Sequence, residues 1–379
     1  MWYPKDHPEF VTDETKEIFN IYKNRTEVVN KCIDGKWHNI NEPLFYSRWN
    51  QGVCSINLPD IALTALVQCG YDISDESVVG VENLYESDEN LRNTFMHIFN
   101  ERLEICHKVL LTRHNHLNNV KAEVAPILWV NGALARLTPD ETLEKLMLNG
   151  HSTISLGYIG LAETVKALTG QSHTQEYGRI IGMDIMQKLH DICDEWNEEN
   201  NIGFSLYGTP SENYVTKATN SLNKRFPNNV ISNKGWITNS YHIPVDEPID
   251  AFTKLSKEAP FQELSSGGNI SYIEVPVMFR NIQALISVLQ HIYKTNIYAE
   301  INTKADYCKA CHYEGEMLSV KTSNGNFVWE CPNCHTQDGN LLVVIRRICG
   351  YIGAVSKGYG TGIPSEGRMN DITHRVLHL

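Results

Sequence analysis

Four cysteines near the end of the chain occur as two pairs whose spacing suits a metal ion. The pairs are Cys308-x-x-Cys311 and Cys331-x-x-Cys334. Two thiolate pairs of this kind can close a tetrahedral site, and four sulfur ligands favour Zn²⁺, with iron as the alternative. His312 and His335 each follow a paired cysteine and could replace it, although two complete pairs make this unnecessary. Because four filled positions leave no room for substrate, the predicted metal site is structural.

A glycine-containing run follows these pairs: Arg346-Arg347-Ile348-Cys349-Gly350-Tyr351-Ile352-Gly353. Taken alone, the run is equally well explained as a simple turn. With the cysteines before it, it resembles the C-terminal glycyl-radical motif, and the cysteine pairs resemble the zinc ribbon, of the anaerobic (class III) ribonucleoside-triphosphate reductases. The resemblance implies that Gly350 stores a radical at its Cα. Glycine suits this role because a Cβ would obstruct both a planar radical centre and access of an activating enzyme.

Five further segments resemble that family and occur in its order. They are GVCSINLPDIAL (52–63), STISLGYIGLAE (152–163), LYGTPSEN (206–213), YHIPVDEPIDAF (241–252) and LSSGGNISYIEVP (264–276). Chains of the family are considerably longer, so the resemblance covers their C-terminal catalytic part. We therefore expect the N-terminal region, with its allosteric specificity site, to be absent here.

Composition and charge limit the classes of function. A formal net charge of −12 and the lack of a Lys/Arg stripe argue against nucleic-acid binding. No apolar stretch reaches membrane-spanning length, which predicts no membrane contact. Ten cysteines without a signal peptide indicate a reducing compartment, and we expect a cytoplasmic protein.

Short β-like runs alternate with longer amphipathic segments, which predicts an α/β fold with mostly parallel strands. The predicted strands are 52–58, 152–156, 202–207, 236–243, 270–275 and 297–301, and the predicted helices include 93–116, 176–197 and 277–293. The resemblance implies a ten-stranded glycyl-radical-type α/β barrel, of which six strands suggest only the C-terminal portion. We expect barrel over residues 1–301, the zinc-ribbon segment over 302–338, and the glycyl-radical loop and tail over 339–379.

The segment after Tyr207 predicts the start of a helix, with Thr209 as N-cap, Pro210 at the first helical position and Glu212 three residues after the cap. A helix N-terminus after a strand can bind an anion. The resemblance implies contacts to substrate phosphates from Gly208, Thr209 and Ser211. The alternative is an ordinary capped helix, because a carboxylate in the first turn can satisfy the same N–H groups.

A glycyl-radical reductase also needs a cysteine whose thiyl radical attacks the substrate. By the family's spacing this cysteine is Cys32, with Cys54 as the second candidate and a cysteine of another chain as the third. Cys69, Cys106 and Cys193 fall on apolar helical faces and are predicted to be core residues.

The resemblance implies anaerobic reduction of ribonucleoside triphosphates to deoxyribonucleoside triphosphates. It implies structural Zn²⁺ and a glycyl radical on Gly350 but no bound organic cofactor. The implied partners are a radical S-adenosylmethionine activase, a ribonucleoside triphosphate, formate or a dithiol reductant, and a second copy in a homodimer. Two alternatives stay open: a subunit or inactive remnant of a split reductase that needs a separate N-terminal polypeptide, and a different glycyl-radical enzyme such as a lyase.

Overall fold

The computed structural model describes residues 49–75, 79, 81, 84–147, 152–208, 210–211, 214–276, 278, 281–323, 327–348, 352–355 and 366–378. Its larger part consists of parallel strands covered by helices. Strands β1 (Trp49–Asn57), β2 (Ser152–Ile159) and β3 (Gly203–Tyr207) form a parallel sheet in that order. Strands β4 (Ser271–Val275) and β5 (Ala299–Thr303) form a parallel pair. A bridge between Tyr207 and Gly268 connects the two groups beside β4.

The helices are α1 (Leu58–Gln68), α2 (Leu84–Ser87), α3 (Glu89–Asn118), α4 (Pro126–Trp129), α5 (Glu144–Met147), α6 (Leu161–Thr169), α7 (Glu176–Asn200), α8 (Tyr214–Arg225), α9 (Ala251–Leu264), α10 (Ile282–Thr295) and α11 (Glu366–His374). Three of them begin at side-chain caps that the sequence supplies. The carboxylates of Asp88 and Asp250 and the amide oxygen of Asn281 accept the N–H groups of Leu91, Thr253 and Ala284. These caps fix where the helices start against the sheet.

The main core lies between the first sheet and its helices. Leu156 of β2 and Leu206 of β3 are fully buried and pack with Leu63 of α1, Phe99 of α3 and Leu189 of α7. The backbone turns sharply from β2 into α6 at Gly160, whose φ is +76°. A Cβ there would come within 2.3 Å of Pro59 Cγ, so only glycine allows this close approach of two strand ends.

A smaller unit follows β5. Strands β6 (Asp306–Cys308), β7 (Glu314–Gly315) and β10 (Leu342–Val343) form an antiparallel sheet, with β8 (Leu318–Lys321) paired to β9 (Phe327–Glu330). Strands β11 (Ile345–Arg347) and β12 (Ile352–Ala354) pair antiparallel. The three-region division of the chain, including its boundary at 338, stays a prediction.

The mixed α/β class and the parallel pairing are confirmed. Five of the six predicted strands overlap β1 to β5, and the three predicted helices overlap α3, α7 and α10. Five parallel strands in the described residues do not by themselves make a ten-stranded barrel, which remains a proposal.

The prediction of a strand over residues 236–243 was wrong. This segment is buried but does not form a strand. Two of its carbonyls instead accept hydrogen bonds from the start of α6: Thr238 O accepts the N–H of Gly160, and Ser240 O accepts that of Leu161. The N–H of Thr238 in turn donates to the carboxylate of Glu163 at 3.0 Å. Groups at the start of α6 thus form hydrogen bonds with the backbone of this segment. An apolar and aromatic run can therefore be buried here without the hydrogen bonds of a sheet.

Candidate metal centre and the glycine hairpin

The four paired cysteines come together in the small unit. Their Sγ atoms all lie within 4.8 Å of one another. The Sγ atoms of Cys308 and Cys334 are 3.7 Å apart, and those of Cys311 and Cys331 are 3.6 Å apart. A tetrahedral zinc site with Zn–S bonds of about 2.3 Å has sulfur atoms about 3.8 Å apart. The arrangement therefore fits a tetrathiolate zinc ion.

Two turns of the same shape present these thiols. His312 and His335, each directly after the second cysteine of a pair, both have φ of +59°. Their N–H groups donate to the carbonyls of Cys308 and Cys331 at 2.8 and 2.9 Å. The histidine rings bond elsewhere, His312 Nδ1 to the Tyr307 hydroxyl and His335 Nδ1 to a Glu330 carboxylate oxygen. The four sulfurs can therefore form a complete ligand set without the histidines.

We call residues 345–354 the glycine hairpin. Arg347 pairs with Ile352 across β11 and β12, and residues 348–351, which include Gly350, connect them. Gly350 itself lies outside the described residues. We call strands β6 to β10 with their two cysteine turns the metal unit. The glycine hairpin and the adjacent Val355 share a core with it, in which Ile348 and Val355 pack with the buried Cys308 and Cys331.

Arg346 attaches the glycine hairpin to the metal unit. Its guanidinium donates to Asp306 Oδ1, and its Cζ lies 4.9 Å from the centre of the Trp329 ring. The Asp306 carboxylate also accepts the N–H groups of Ile345 at 3.0 Å and Met317 at 2.8 Å. Both side chains of the pair are almost fully buried, at 3% exposed for Arg346 and 0% for Asp306. The pair fixes the hairpin to β6, two residues before Cys308.

Arg347 attaches the same strand to the larger part of the protein. Its guanidinium pairs with the carboxylate of Glu300 in β5 and lies 4.6 Å from the centre of the Tyr272 ring in β4. Its carbonyl accepts a hydrogen bond from Arg375 at 2.7 Å. Sequence reasoning quoted both arginines as part of a motif but missed these attachments.

The predicted phosphate loop lies where β3 ends. Gly208 N–H donates to Gly268 O at 2.9 Å, and Gly267 N–H donates to Leu206 O at 2.7 Å. Two of the resembling segments therefore meet at this edge. A Cβ on Gly208 would come within 3.0 Å of the Tyr241 ring, so packing alone already favours glycine.

The prediction that a helix begins at Pro210 was wrong. Pro210 and Ser211 are not helical, and α8 begins at Tyr214. Ser211 is buried, and its N–H donates to the amide oxygen of Asn239 at 3.3 Å, which holds this residue in the loop before the helix. Thr209, the third predicted phosphate residue, lies outside the described residues.

Of the two candidate thiyl cysteines, the structure describes Cys54. Cys32 lies outside the described residues. Cys54 of β1 pairs in register with Leu156, which pairs with the fully buried Leu206, so all three face the covering helices. A hydrogen bond from the Cys106 thiol in α3 lowers the pKa of Cys54. The prediction of Cys106 and Cys193 as core residues is confirmed, since both are buried in the main cluster.

The opposite face of the first sheet is polar. Ser155 Oγ of β2 lies 3.0 Å from Ser205 Oγ of β3 and accepts a bond from Asn50 Nδ2 at 2.6 Å. Asn57, the last residue of β1, has a buried Oδ1 without a hydrogen-bond partner in the described part of the chain. Sequence analysis missed Asn57; the available signal was a polar side chain at the carboxyl end of a predicted parallel strand, where active sites of such folds collect.

The chain matches known proteins over nearly its whole length. The family model for anaerobic ribonucleoside-triphosphate reductase matches residues 8–378. The anaerobic ribonucleoside-triphosphate reductase of Escherichia coli K12 is 36% identical over 353 residues, covering 91% of this chain and 45% of that protein. The enzyme of the same name from Enterobacteria phage T4 is 35% identical over 366 residues, covering 96% and 52%. The chain therefore spans about half the length of these relatives.

Solved structures show the same fold at lower identity. An anaerobic ribonucleotide reductase matches with a TM-score of 0.56 and 18% identity, covering 86% of this chain and 44% of that one. The Thermotoga maritima enzyme in complex with dATP and CTP matches with a TM-score of 0.53 and 15% identity, covering 80% of this chain and 42% of that one.

Among the helices of the described residues, none has the length and apolar character that spanning a membrane requires.

Proposed function

Because this chain belongs to the anaerobic ribonucleoside-triphosphate reductase family, we propose that it reduces ribonucleoside triphosphates to deoxyribonucleoside triphosphates by glycyl and thiyl radical chemistry. The observation that carries this proposal is the position of the glycine hairpin. Consecutive arginines hold β11 between the tetrathiolate site and the parallel strands, three and four residues before Gly350. A stored radical needs such a rigid attachment, because hydrogen transfer requires reacting atoms in near contact.

In the proposed reaction a thiyl radical removes the 3′ hydrogen atom of the ribose, and the 2′-hydroxyl leaves as water after protonation. Formate, which is oxidised to CO₂, or a dithiol, which is oxidised to a disulfide, supplies the two electrons of the reduction. The thiol then returns its hydrogen atom to C3′, which regenerates the thiyl radical. We assign the thiyl to Cys32, with Cys54 as the less favoured candidate. Cys54 faces the helix layer and Cys106, so its sulfur lies on the opposite side of the sheet from the polar face.

We place the substrate against that polar face. Ser155, Ser205 and Asn57 offer hydrogen-bonding groups to ribose hydroxyls. Gly208 and Ser211 lie just after the carboxyl end of β3, where ligands bind in parallel α/β folds, and we assign the phosphates to them and to Thr209, which stands between them in the sequence. A strand-end loop rather than a helix N-terminus would then contact the phosphates, because α8 begins only at Tyr214.

The four cysteines would hold Zn²⁺ as a structural ion, with iron as the chemical alternative. Bound there, the ion would cross-link the two turns that carry the ligands. The ten-stranded barrel, the radical activase, the homodimer and the choice of formate or dithiol belong to the same proposal. The barrel is supported by the chain's membership of the family and by its parallel strands. The activase is supported by the glycine hairpin, because a radical stored at Gly350 has to be generated by another enzyme.

Electron paramagnetic resonance tests the proposal. After anaerobic incubation with a radical S-adenosylmethionine activase and reductant, the chain should show a doublet from a single α-hydrogen. Gly350→Ala should abolish the doublet, whereas the control Gly353→Ala, in β12 of the same hairpin, should keep it. A doublet that persists in Gly350→Ala would place the radical elsewhere.

Cysteine variants separate the two thiyl candidates in the same assay. Cys32→Ala should keep the doublet but lose nucleotide reduction, because storage and attack are separate steps. Cys54→Ala should keep both. Loss of reduction in Cys54→Ala, with the doublet and the fold intact, would reverse the assignment.

A further inference from the structure

The four residues after α11 are bonded to the larger part of the protein at two points, His378 to β4 and Val376 to the segment before α9. His378 N–H donates to Glu274 O at 2.8 Å, and Glu274 N–H donates to His378 Nδ1 at 2.8 Å. Val376 N–H donates to Val245 O at 3.0 Å. We call residues 375–378 the C-terminal strap. These bonds hold it against the larger part of the protein.

Arg375, the first residue of the strap, joins three elements through one guanidinium. Its Nε donates to Asp371 Oδ1 of α11 at 2.9 Å, and its Nη1 lies 3.3 Å from Glu274 Oε1 of β4. The same Nη1 donates to the carbonyl of Arg347 at 2.7 Å. The side chains of Arg375, Glu274 and Asp371 are 9%, 8% and 7% exposed, so solvent competes little with these bonds.

The carbonyl that Arg375 contacts belongs to the last residue of β11. The side chain of Arg347 is already held by Glu300 and Tyr272, but a side chain can turn about its own bonds without moving the backbone. A bond to the main-chain carbonyl fixes the backbone itself, three residues before Gly350. Of the side-chain contacts to Arg347 from Arg375, Glu300 and Tyr272, this is the one that reaches its backbone.

We propose that Arg375 is a positioning residue for the radical: it fixes the point at which the chain leaves β11 towards Gly350, and thereby the distance from the stored radical to its hydrogen-transfer partner. The inference rests on the proposed function for its consequence in catalysis. The C-terminal strap, which lies outside both the metal unit and the glycine hairpin, thereby gains a role in the radical chemistry. Arg375 touches neither the ribose nor the radical carbon in this role; it acts through the Arg347 carbonyl.

Asp371 and Glu274 explain why this residue is arginine. A planar guanidinium can donate from Nε to one acceptor and from Nη1 to others at fixed angles, which an ammonium cannot reproduce. Lysine would keep the positive charge and reach one acceptor at a time. Arg375→Lys should therefore recover part of the function that Arg375→Ala loses.

Hydrogen exchange measured by mass spectrometry tests the positioning without any radical. In the full chain loaded with zinc, Arg375→Ala should speed exchange of the amides in residues 345–355 at least tenfold, while peptides from β1 to β3 stay unchanged. Arg375→Lys should give an intermediate rate. The control Arg179→Ala removes an arginine of α7 whose ion pair with Glu176 is exposed, and should change neither region.

Kinetics then test the consequence in activated protein. Turnover per glycyl radical should fall at least tenfold in Arg375→Ala, whereas the KM for the nucleotide should stay within twofold, because a residue that acts only through the Arg347 carbonyl leaves substrate binding unchanged. A displacement of reacting groups by about 1 Å is enough for losses of this size. Arg375→Lys should restore part of kcat.

Three results would overturn the inference. One is exchange in residues 345–355 that does not differ between Arg375→Ala and the parent. Another is faster exchange throughout the protein, which would make Arg375 a general stabilising residue. The third is faster local exchange with unchanged turnover per radical.

If Arg375→Ala does not fold, Asp371→Asn and Arg375→Lys decide in its place, and parent-like exchange in both would overturn the inference. An absent doublet in the activated parent would contradict the proposed function instead, and the exchange measurement would still decide whether Arg375 positions β11.

Discussion

Arg346 and Arg347 are consecutive residues of β11, and their side chains leave the strand on opposite sides. Arg346 pairs with Asp306 of the metal unit, and Arg347 pairs with Glu300 of β5. The alternation follows from the strand's two-residue period. It makes this strand the connection through which the metal unit and the parallel strands both fix the glycine hairpin.

The buried pair of Arg346 and Asp306 should dominate the stability of this connection. Arg346→Met leaves the Asp306 carboxylate buried without its partner, and we expect the free energy of unfolding to fall by about 3–5 kcal/mol. Urea unfolding followed by tryptophan fluorescence measures it, since Trp329 lies against Arg346. The control Arg225→Met removes a partly exposed partner of Asp60 and should cost about 1 kcal/mol or less. Equal losses in the two variants would contradict the importance of the buried pair.

Metal analysis should find close to one zinc ion per chain. Chelation should unfold the two cysteine turns, because the metal would cross-link them and two of its ligands, Cys308 and Cys331, belong to the small unit's buried cluster. Cys331→Ser should lose the zinc, whereas Cys193→Ser, which removes a buried thiol in α7, should retain it. Freshly purified, reduced protein without metal would refute this prediction, and iron in place of zinc would support the alternative ion.

Ser211 distinguishes a phosphate loop from a merely structural turn. Ser211→Ala should weaken nucleotide affinity about tenfold in calorimetry, since a hydrogen bond to a charged group contributes about 1.5 kcal/mol or more. Ser211→Asp should weaken it further by charge repulsion, at some expense of stability because the residue is buried. The control Ser287→Ala, on a partly exposed position of α10, should bind as the parent does. Unchanged affinity in both Ser211 variants would leave the loop a purely structural role.

His378 predicts a pH dependence of stability. Burial lowers the pKa of His378 to about 4, with the positive charge of Lys254 acting in the same direction. Between pH 6.5 and about 4 the unfolded chain binds the proton and the folded chain does not, so stability rises with pH across this window and falls on acidification. The full effect amounts to about 3 kcal/mol.

His378→Asn tests that dependence, because an amide oxygen can replace Nδ1 as the acceptor of the Glu274 N–H. We expect the variant's unfolding free energy to change less than the parent's between pH 6.5 and 4.5. His97→Asn, at an exposed position of α3, should follow the parent. Parallel curves for parent and His378→Asn would rule out His378 as the titrating group.

The sequence by itself determined the features that depend on neighbouring residues. Two Cys-x-x-Cys pairs predict two equivalent turns, and the β-branched runs at β1 to β5 predict strands, because spacing and side-chain shape act locally. The resembling segments were likewise sufficient to identify the family. Gly350, Thr209 and Cys32 stay predictions.

Only the tertiary structure decided which side chains meet. Arg375 and Glu274 lie 101 residues apart, and no local spacing predicts their contact. Whether Cys54 faces helices or the polar side depends on the register of β1 with β2, since a shift of one residue would reverse it. The local pattern of segment 236–243 predicts a strand, but two of its carbonyls accept hydrogen bonds from the N–H groups at the start of α6 instead. Long-range hydrogen-bonding demands of this kind are absent from the local pattern, which is why the folded chain had to reveal them.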